Sequence, residues 1–245
     1  MASIVDERGY NQGFKLTAAQ QIRLQRRARA IVAEMTGSAA NGPLAEKYIL
    51  EIGCGTGELA HELAQLTGAR VTGVDLSAQF IERASATYQR PHLNFIVADL
   101  SQSNPANDAD RYDYIVGNGI LHHLYHHLDT FLPVLARWLK PSGRLIFWEP
   151  NLWNPYVFLI FSIPLLRRVA NLEPDEMAFT PTFIRRKLEK ADFNETRVVT
   201  RDFLLPNTPD VLIKPVIAAG SCLDVIPGVN RLAQSIFLVA GRSPQ

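Results

Sequence analysis

Short apolar segments alternate with amphipathic segments from residue 47 onward, and this alternation constrains the fold more than any other feature. Residues 48–53, YILEIG, have the pattern of a buried strand. Residues 58–68, ELAHELAQLTG, follow as a helix with leucines on one face and Gly68 at its end. Further strand patterns lie at residues 70–77, 93–100, 112–119 and 143–150. Because helices join such strands through right-handed crossovers, the sequence predicts an α/β, doubly wound sheet with parallel pairing.

Two more strand patterns beyond Pro150 complete a predicted seven-stranded sheet in a single domain, residues 1–245. Apolar elaborations follow the fifth strand and separate the last two strands. The elaborations occupy residues 151–178 and 204–233, and the two strand patterns occupy residues 194–203 and 234–242. Pro155 and Pro164 exclude one long helix from the first elaboration.

In the N-terminal segment, residues 1–46, the sequence predicts one amphipathic helix that ends near Met35. Thr17 is a suitable N-cap for this helix. Its apolar stripe consists of Leu24, Ala28, Ile31 and Met35. The arginines of this helix predict a solvated face, with contact to an anionic membrane or substrate as the alternative. They are Arg23, Arg26, Arg27 and Arg29.

Composition argues against several classes of protein. A net charge of +1 gives no sign of a nucleic-acid partner. The two cysteines, Cys54 and Cys222, have no partners at metal-ligand spacing, which fits a reducing cytoplasm rather than a disulfide scaffold. The polar N-terminus does not resemble a signal peptide. The longest apolar run, residues 156–166, is shorter than the roughly 20 residues that a membrane-spanning helix needs. We therefore expect a cytoplasmic protein without a membrane span.

The sharpest motif is EIGCGTG, residues 51–57, directly after the first strand. Its glycines permit a tight turn that brings backbone amides close to a ligand. Dinucleotide-binding enzymes place Gly-x-Gly-x-x-Gly at the same point, so a nicotinamide oxidoreductase is the first alternative. Here the third glycine comes one residue earlier, Glu51 precedes the first glycine by two positions, and the nicotinamide interpretation gives Asp99 no role.

With this motif the sequence resembles the class I S-adenosylmethionine-dependent methyltransferases, strongly over residues 47–150 and weakly to the C-terminus. The resemblance implies a seven-stranded Rossmann-like methyltransferase sheet and S-adenosyl-L-methionine as cofactor. Residues 47–150 would form the cofactor-binding half and residues 151–245 the substrate-side half. In this family the glycine turn cradles the methionine part of the cofactor, which the resemblance assigns to Gly53, Cys54, Gly55 and Gly57.

Polar residues at successive strand ends match the family's other cofactor contacts. By resemblance, Glu51 helps to hold the methionine ammonium group, and Asp75 holds both ribose hydroxyls. Leu76 would pack against the adenine, and Asp99 would accept a hydrogen bond from its amino group. The backbone of Leu100 would donate to the adenine, and Asn118 would lie beside the transferred methyl group. An open α/β sheet binds its ligand at these strand ends.

Four of the six histidines lie in residues 117–127, GNGILHHLYHH, just beyond the fourth strand. His122 and His123 are candidate catalytic bases that take a proton from a substrate hydroxyl, and His122 is the first choice. The alternative is that both only shape the pocket. His126 and His127 are expected at the surface. The i, i+4 spacing permits metal binding, but the sequence nominates no third ligand, so we predict no metal.

The apolar elaborations indicate which kind of molecule receives the methyl group. With Glu149, Asn151 and Trp153 as candidate substrate contacts, we expect methyl transfer to an oxygen of an apolar small molecule, either quinone-like, a lipid or a polyketide-type product. Arginines at the rim suggest peripheral membrane contact and membrane association. Three alternatives stay open: core packing by both elaborations, an N- or C-methyltransferase, and a non-catalytic cofactor-binding accessory protein. A nucleic-acid substrate is disfavoured because Asn118 is followed by Gly-Ile-Leu and not by Pro-Pro-aromatic.

Overall fold

The computed structural model describes residues 17–37, 42–100 and 109–242. The polar N-terminal stretch that argued against a signal peptide lies outside these ranges. Within them, no helix combines the length and the apolar character that crossing a bilayer requires.

Seven strands form one sheet. They are β1 (Tyr48–Ile52), β2 (Arg70–Asp75), β3 (Leu93–Val97), β4 (Tyr112–Asn118), β5 (Leu139–Pro150), β6 (Phe193–Arg201) and β7 (Ser235–Arg242). The spatial order is β3-β2-β1-β4-β5-β7-β6. Strands β1 to β5 pair in parallel, whereas β7 runs antiparallel to both β5 and β6. The predicted doubly wound α/β fold is confirmed, except that the parallel pattern did not foresee the reversed direction of β7.

Eight α-helices accompany the sheet in the described part of the chain. They are α1 (Ala18–Thr36), α2 (Glu58–Thr67), α3 (Ala78–Thr87), α4 (Leu128–Trp138), α5 (Pro155–Ser162), α6 (Pro164–Val169), α7 (Pro181–Lys190) and α8 (Asp210–Leu223). Thr17 accepts a backbone hydrogen bond as the N-cap of α1, as the sequence predicts, and Ser77 and Thr180 do the same for α3 and α7. Helix α4 begins at Leu128, which places Asp129 in its first turn rather than at the N-cap.

Apolar side chains cover both faces of the sheet and form two core clusters. One face packs against α4 and α7 through residues such as Leu132 and Ile184. The other face packs against α1 and α2 through residues such as Ile31 and Leu63. Because both faces are buried, the ligand-binding region of this sheet is left to the loops at the strand ends.

The first apolar elaboration forms what we call the cap segment, residues 152–178. Pro155 and Pro164 each occupy the first turn of a short helix, α5 or α6, where a missing N–H is tolerated. Val157, Phe161 and Ala178 bury a small core beneath these helices. The second elaboration contains α8, which contacts α1.

A buried ion-pair network joins the cap segment to the sheet. His122 Nδ1 lies 2.8 Å from Glu149 Oε2 at the end of β5, and His122 Nε2 lies 3.0 Å from Glu176 Oε1 in the cap segment. The backbone N–H of Met177 also donates to the carbonyl of His122 at 3.0 Å. We call His122, Glu149 and Glu176 the His122 network. All three side chains are almost completely buried.

The charge state of this network follows from its geometry. Burial alone would lower the pKa of His122, but hydrogen bonds to Glu149 and Glu176 outweigh burial and raise that pKa to about 9. At neutral pH both ring nitrogens therefore carry protons and donate to carboxylates. Burial acts to raise the pKa of Glu176, but the hydrogen bond from His122 and the nearby positive charge together outweigh burial and lower that pKa below its usual value. The imidazolium thus holds two otherwise uncompensated buried carboxylates together.

The substitution His122→Gln tests this charge state through the pH dependence of stability. Because the folded pKa exceeds the unfolded value of about 6.5, the contribution of His122 is fully present below about pH 6.5 and is lost as pH rises through 9. Between about pH 6 and pH 9.5 the free energy of unfolding of the wild type should fall by on the order of 3 kcal/mol more than that of the variant. Urea denaturation at both pH values measures the difference. Substitution of the exposed His126 with glutamine should retain the wild-type dependence; equal pH slopes for His122→Gln and wild type would contradict the assignment.

Candidate active site

A cavity of about 540 Å³ opens at the carboxyl ends of β1, β2 and β4. Nine of the ten predicted cofactor residues line it, namely Glu51, Gly53, Cys54, Gly55, Asp75, Leu76, Asp99, Leu100 and Asn118. Only Gly57 of that set lies outside the lining. The fold therefore brings residues from four separate strand ends to one space, where an open α/β sheet binds ligands.

The glycine turn after β1 needs residues without side chains for two different reasons. All three glycines have positive φ, a conformation that side chains disfavour. A Cβ at Gly53 would lie 2.5 Å from Cγ1 of Ile120, which packs over the turn. A Cβ at Gly57 would lie 2.7 Å from Cζ of Phe95, so this position is constrained by packing at the start of α2 rather than by the cavity.

The carboxylate of Asp75 holds the glycine turn in place. The backbone N–H of Gly55 donates to Asp75 Oδ2 at 2.8 Å, and the N–H of Ser77 donates to Oδ1 at 2.9 Å. The N–H of Cys54 also donates to the carbonyl of Val74 at 3.0 Å. The end of β2 thus orients the turn after β1. The Asp75 carboxylate also lines the cavity, and a carboxylate oxygen can accept more than one hydrogen bond.

Glu51 is a buried carboxylate with an unused acceptor. Its side chain is almost fully buried, and no donor among the described residues reaches Oε2. Burial, with smaller contributions from Glu58 and Asp75, raises its pKa well above the usual value. A buried group of this kind is stabilised when a cation or donor binds beside it.

Two arginines of α1 also reach this region, although the sequence predicted a solvated face for them. Arg23 is buried, only about a tenth of the Arg27 side chain is exposed, and both line the cavity. Nη1 of Arg27 donates to Asn118 Oδ1 at 2.6 Å, and its guanidinium lies 5.2 Å from the centre of the Trp148 ring. The solvated-face prediction is therefore wrong for these two residues. A usable signal was present, because Arg27 precedes the buried Ile31 and Met35 by four and eight residues.

The two candidate histidines have different surroundings. His122 does not line the cavity, and both of its ring nitrogens are occupied by carboxylates. His123 does line the cavity, and its Nδ1 lies 3.7 Å from oxygens of both Glu173 and Glu176. Residues Leu121–His127 form a 3₁₀ helix, so the i, i+4 histidine pairs do not share a face as α-helical spacing would suggest. His126 and His127 are exposed, as expected.

His122, His123 and Glu176 also have the composition of a metal site, with one potential ligand atom from each within 4.8 Å of the others. Metal ligation requires a histidine nitrogen with a free electron pair. Both ring nitrogens of His122 already lie within hydrogen-bond distance of carboxylates, at 2.8 Å from Glu149 and 3.0 Å from Glu176. The carboxylates Glu173 and Glu176 were not predicted as site residues, and they carry no local motif that marks them.

The three predicted substrate residues lie outside the cavity lining. Glu149 accepts hydrogen bonds from the backbone of Ile120 and Leu121 at 3.1 and 2.8 Å, in addition to its contact with His122. The side chain of Asn151 donates to two backbone carbonyls before β7 and accepts from the N–H of Trp153. Trp153 is partly exposed near Arg231. The polar groups of Glu149 and Asn151 thus stabilise the loops that surround the site.

Comparison with known proteins matches residues 49–143 to a family described as a methyltransferase domain. A malonyl-[acyl-carrier protein] O-methyltransferase of Halalkalibacterium halodurans is 38% identical over 104 residues, which cover 41% of this chain and 38% of that protein. A ubiquinone biosynthesis O-methyltransferase of Coxiella burnetii is 32% identical over 141 residues, covering 57% and 58% of the two chains. This chain therefore spans between about two fifths and three fifths of the length of these relatives.

Among solved structures, a SAM-dependent methyltransferase from Archaeoglobus fulgidus superposes with a TM-score of 0.62 at 17% identity, covering 90% of this chain and 94% of that one. At this identity the similarity concerns the fold. The glycine turn and Asp75 lie within the residues that match the family, whereas β6 and the antiparallel β7 lie beyond them. Residues 49–143 therefore match a methyltransferase domain, and the fold is similar to that of a SAM-dependent methyltransferase of known structure.

Proposed function

We propose that this chain transfers the methyl group of S-adenosylmethionine to an oxygen atom of an apolar small molecule, such as a quinone-like ring, a lipid or a polyketide-type product. One observation carries the proposal: a single cavity joins the glycine turn and strand-end carboxylates to apolar side chains such as Leu124, Phe131 and Leu172. Two relatives, a malonyl-[acyl-carrier protein] O-methyltransferase and a ubiquinone biosynthesis O-methyltransferase, support the same class of reaction by their names.

The residues present fit the cofactor. Glu51 offers a buried, unpartnered oxygen for an ammonium group, and Gly53 and Gly55 of the glycine turn line the same cavity. Asp75 places a carboxylate, which binds hydroxyl groups well, in the cavity wall, and Leu76 offers an exposed apolar surface for a base. When bound, the cofactor supplies a methyl group on a positively charged sulfur. The chain's own contribution is to bind the reactants in line and to exclude water, which accounts for much of the barrier reduction in a transfer of this kind.

The substitution Glu51→Gln separates cofactor binding from folding. It removes a carboxylate whose pKa burial has raised, so the melting temperature should stay the same or rise. It also removes the charge that faces the cofactor's ammonium group, so the Kd for S-adenosylhomocysteine should increase by about 10- to 100-fold. Calorimetric titration measures the Kd. Substitution of the exposed Glu82 with glutamine is the control, and unchanged affinity in Glu51→Gln would remove this assignment.

We propose His123, rather than His122, as the residue that contacts the acceptor and takes its proton. His123 faces the cavity, and Glu173 and Glu176 lie close enough to orient its ring. His122 keeps the role of holding the cap segment through its two carboxylates. The reaction needs only a modest contribution from a base, since alignment already favours attack on a sulfonium methyl group.

The pH dependence of turnover distinguishes these two roles. His123→Gln should lower kcat by about 10- to 100-fold and remove the acid limb of the kcat profile, because no imidazole remains to accept the proton. Turnover of S-adenosylmethionine with a panel of phenolic acceptors provides the assay. His126→Gln should behave as wild type. An unchanged acid limb in His123→Gln would show that this residue only shapes the pocket. A failure of the wild-type protein to consume cofactor with any acceptor would favour the non-catalytic accessory role.

We also propose that the cap segment contacts a membrane surface from which an apolar acceptor is taken. Side chains of α5 and α6 are exposed although apolar, and α6 ends where the cavity lining begins at Ala170. The exposed set comprises Tyr156, Phe158, Leu159, Ile163, Leu165 and Val169. Residues 151–172 contain no acidic side chain, and the exposed Arg168 suits anionic lipid.

Intrinsic fluorescence reports this contact. Trp153 is partly exposed, whereas Trp138 and Trp148 are buried, so a blue shift on mixing with vesicles arises from Trp153. We expect the shift with phosphatidylglycerol vesicles and a several-fold weaker binding in Leu165→Glu, because a charge opposes insertion of this face. Leu66→Glu changes an exposed leucine of α2 and should bind as wild type. Equal binding of both variants, or no shift, would overturn the membrane proposal.

A further inference from the structure

Asn118 presents a side-chain amide to the cavity from a backbone that the sheet holds in place. The residue ends β4, pairs with Trp148 of β5, and lines the cavity together with Gly119 and Ile120. The N–H of Gly119 donates to the carbonyl of Trp148 at 2.7 Å, which fixes the backbone on the C-terminal side of Asn118. The orientation of the amide group is therefore set by the contacts of the Asn118 side chain.

Arg27 fixes which end of this amide faces the cavity. Nη1 of Arg27 donates to Asn118 Oδ1 at 2.6 Å, and because a guanidinium has only donors, the amide oxygen and not the nitrogen must lie on that side. Arg27 is itself held by the ring of Trp148 and the hydroxyl of Ser235. No acceptor in the described part of the chain binds Nδ2 of Asn118, and the residue is only partly buried. The amide therefore offers the cavity N–H donors from Nδ2.

The positive charge of Arg27 also strengthens this donor. A charge-assisted hydrogen bond at the amide oxygen polarises the amide, which makes its N–H groups better donors. His123, which lines the same cavity, is the proposed base. An acceptor atom that reaches both residues therefore meets one hydrogen-bond donor and one base.

A hydroxyl oxygen and an amine nitrogen interact differently with these two residues. A hydroxyl oxygen has two lone pairs, so one can accept the hydrogen bond from Asn118 while the other attacks the methyl carbon. In that step the new carbon–oxygen bond forms, the carbon–sulfur bond breaks and leaves its electron pair on sulfur, and the hydroxyl proton passes to His123. A neutral amine nitrogen has a single lone pair, and a hydrogen bond from Asn118 occupies the pair that must attack.

We propose that Asn118, oriented by Arg27, is a specificity-determining residue that selects an oxygen acceptor over an amine nitrogen. The inference deepens the proposed function, because it assigns the choice of acceptor atom to one residue, and it rests on that function. Arg27 is a positioning residue here, since it acts through the Asn118 amide. An enolate that attacks through carbon also carries an oxygen for this donor, so the selection is against nitrogen alone.

The substitution Asn118→Asp tests the selection with almost no change in shape. A carboxylate keeps an oxygen for Arg27 but has no N–H for the acceptor. The probes are phenols and the arylamines that carry an amino group in place of the hydroxyl, beginning with 2-naphthol and 2-naphthylamine. The ratio of kcat/KM for the phenol to kcat/KM for the arylamine should fall by about 10- to 100-fold in the variant. Asn94→Asp makes the same change at an exposed asparagine of β3 and should keep the wild-type ratio.

The variant Arg27→Met tests the positioning role. It releases the amide so that either end can face the cavity, and the ratio should fall although Asn118 is retained. Both acceptors are assayed with the same saturating cofactor, so the ratio is independent of any change in cofactor affinity.

Nuclear magnetic resonance of the protein provides a readout that does not depend on turnover. The side-chain amide signals of Asn118 are those lost in Asn118→Asp. In the protein loaded with S-adenosylhomocysteine, 2-naphthol should shift these signals downfield, whereas naphthalene, which has no acceptor atom, should not. An unchanged ratio in Asn118→Asp, a wild-type preference for arylamines, or unshifted amide signals with 2-naphthol bound would overturn the selection and leave methyl transfer itself intact. Failure of the wild type to methylate any phenol or arylamine would instead contradict the proposed function.

Discussion

The hydrogen bond from the backbone of Gly55 to the carboxylate of Asp75 is the interaction on which the candidate site depends. It joins the end of β2 to the turn after β1, and the neighbouring bond from Cys54 to Val74 reinforces it. With the turn fixed, its positive-φ glycines let Ile120 and Phe95 pack closely against the backbone, while Gly53 and Gly55 line the cavity. The Asp75 carboxylate therefore both positions the turn and lines the cavity.

Buried charge surrounds this turn and is distributed unevenly. On the side of the cap segment, the His122 network is internally paired, since one imidazolium lies between two carboxylates. Its role is to fix the cap segment against the end of β5. On the side of α1 and β1, Glu51 and Arg27 each keep an unpartnered buried atom. An unpaired buried group is costly, so a site that retains such groups is suited to a ligand with complementary charges.

The cap segment has a packed inner side and an exposed apolar outer side. Its inner residues, such as Phe161 and Ala178, form a small core of their own. Its outer residues are apolar and exposed, and Arg167 bonds to backbone carbonyls of the segment at Phe161, Glu173 and Glu176. Those bonds stabilise the bend between α6 and the residues that line the cavity. Local hydrogen bonds therefore connect the exposed face of the cap segment to the residues that line the cavity.

Local signals were sufficient for most of the sheet and for the cofactor side of the cavity. Strand and helix patterns depend on residues a few positions apart, and parallel pairing then brings consecutive strand ends to one edge. The positions of Glu51, Asp75 and Asp99 at successive strand ends were therefore enough to predict that they share one site. Arg27 was not predicted as a site residue because a charged side chain usually lies in solvent. Its spacing from Ile31 nevertheless places it beside the buried stripe of α1.

The sequence by itself determined the order and type of the elements, the glycine turn and the identity of the strand-end carboxylates, because each of these depends on short-range pattern. Tertiary structure alone decided the direction of β7, the burial of Arg23 and the separation of His122 from the cavity. Those outcomes depend on contacts between distant residues, such as His122 with Glu176 and Arg27 with Ser235. Pairings across so many residues leave no periodic trace in the chain, so they become visible only when the sheet and its cap segment are assembled.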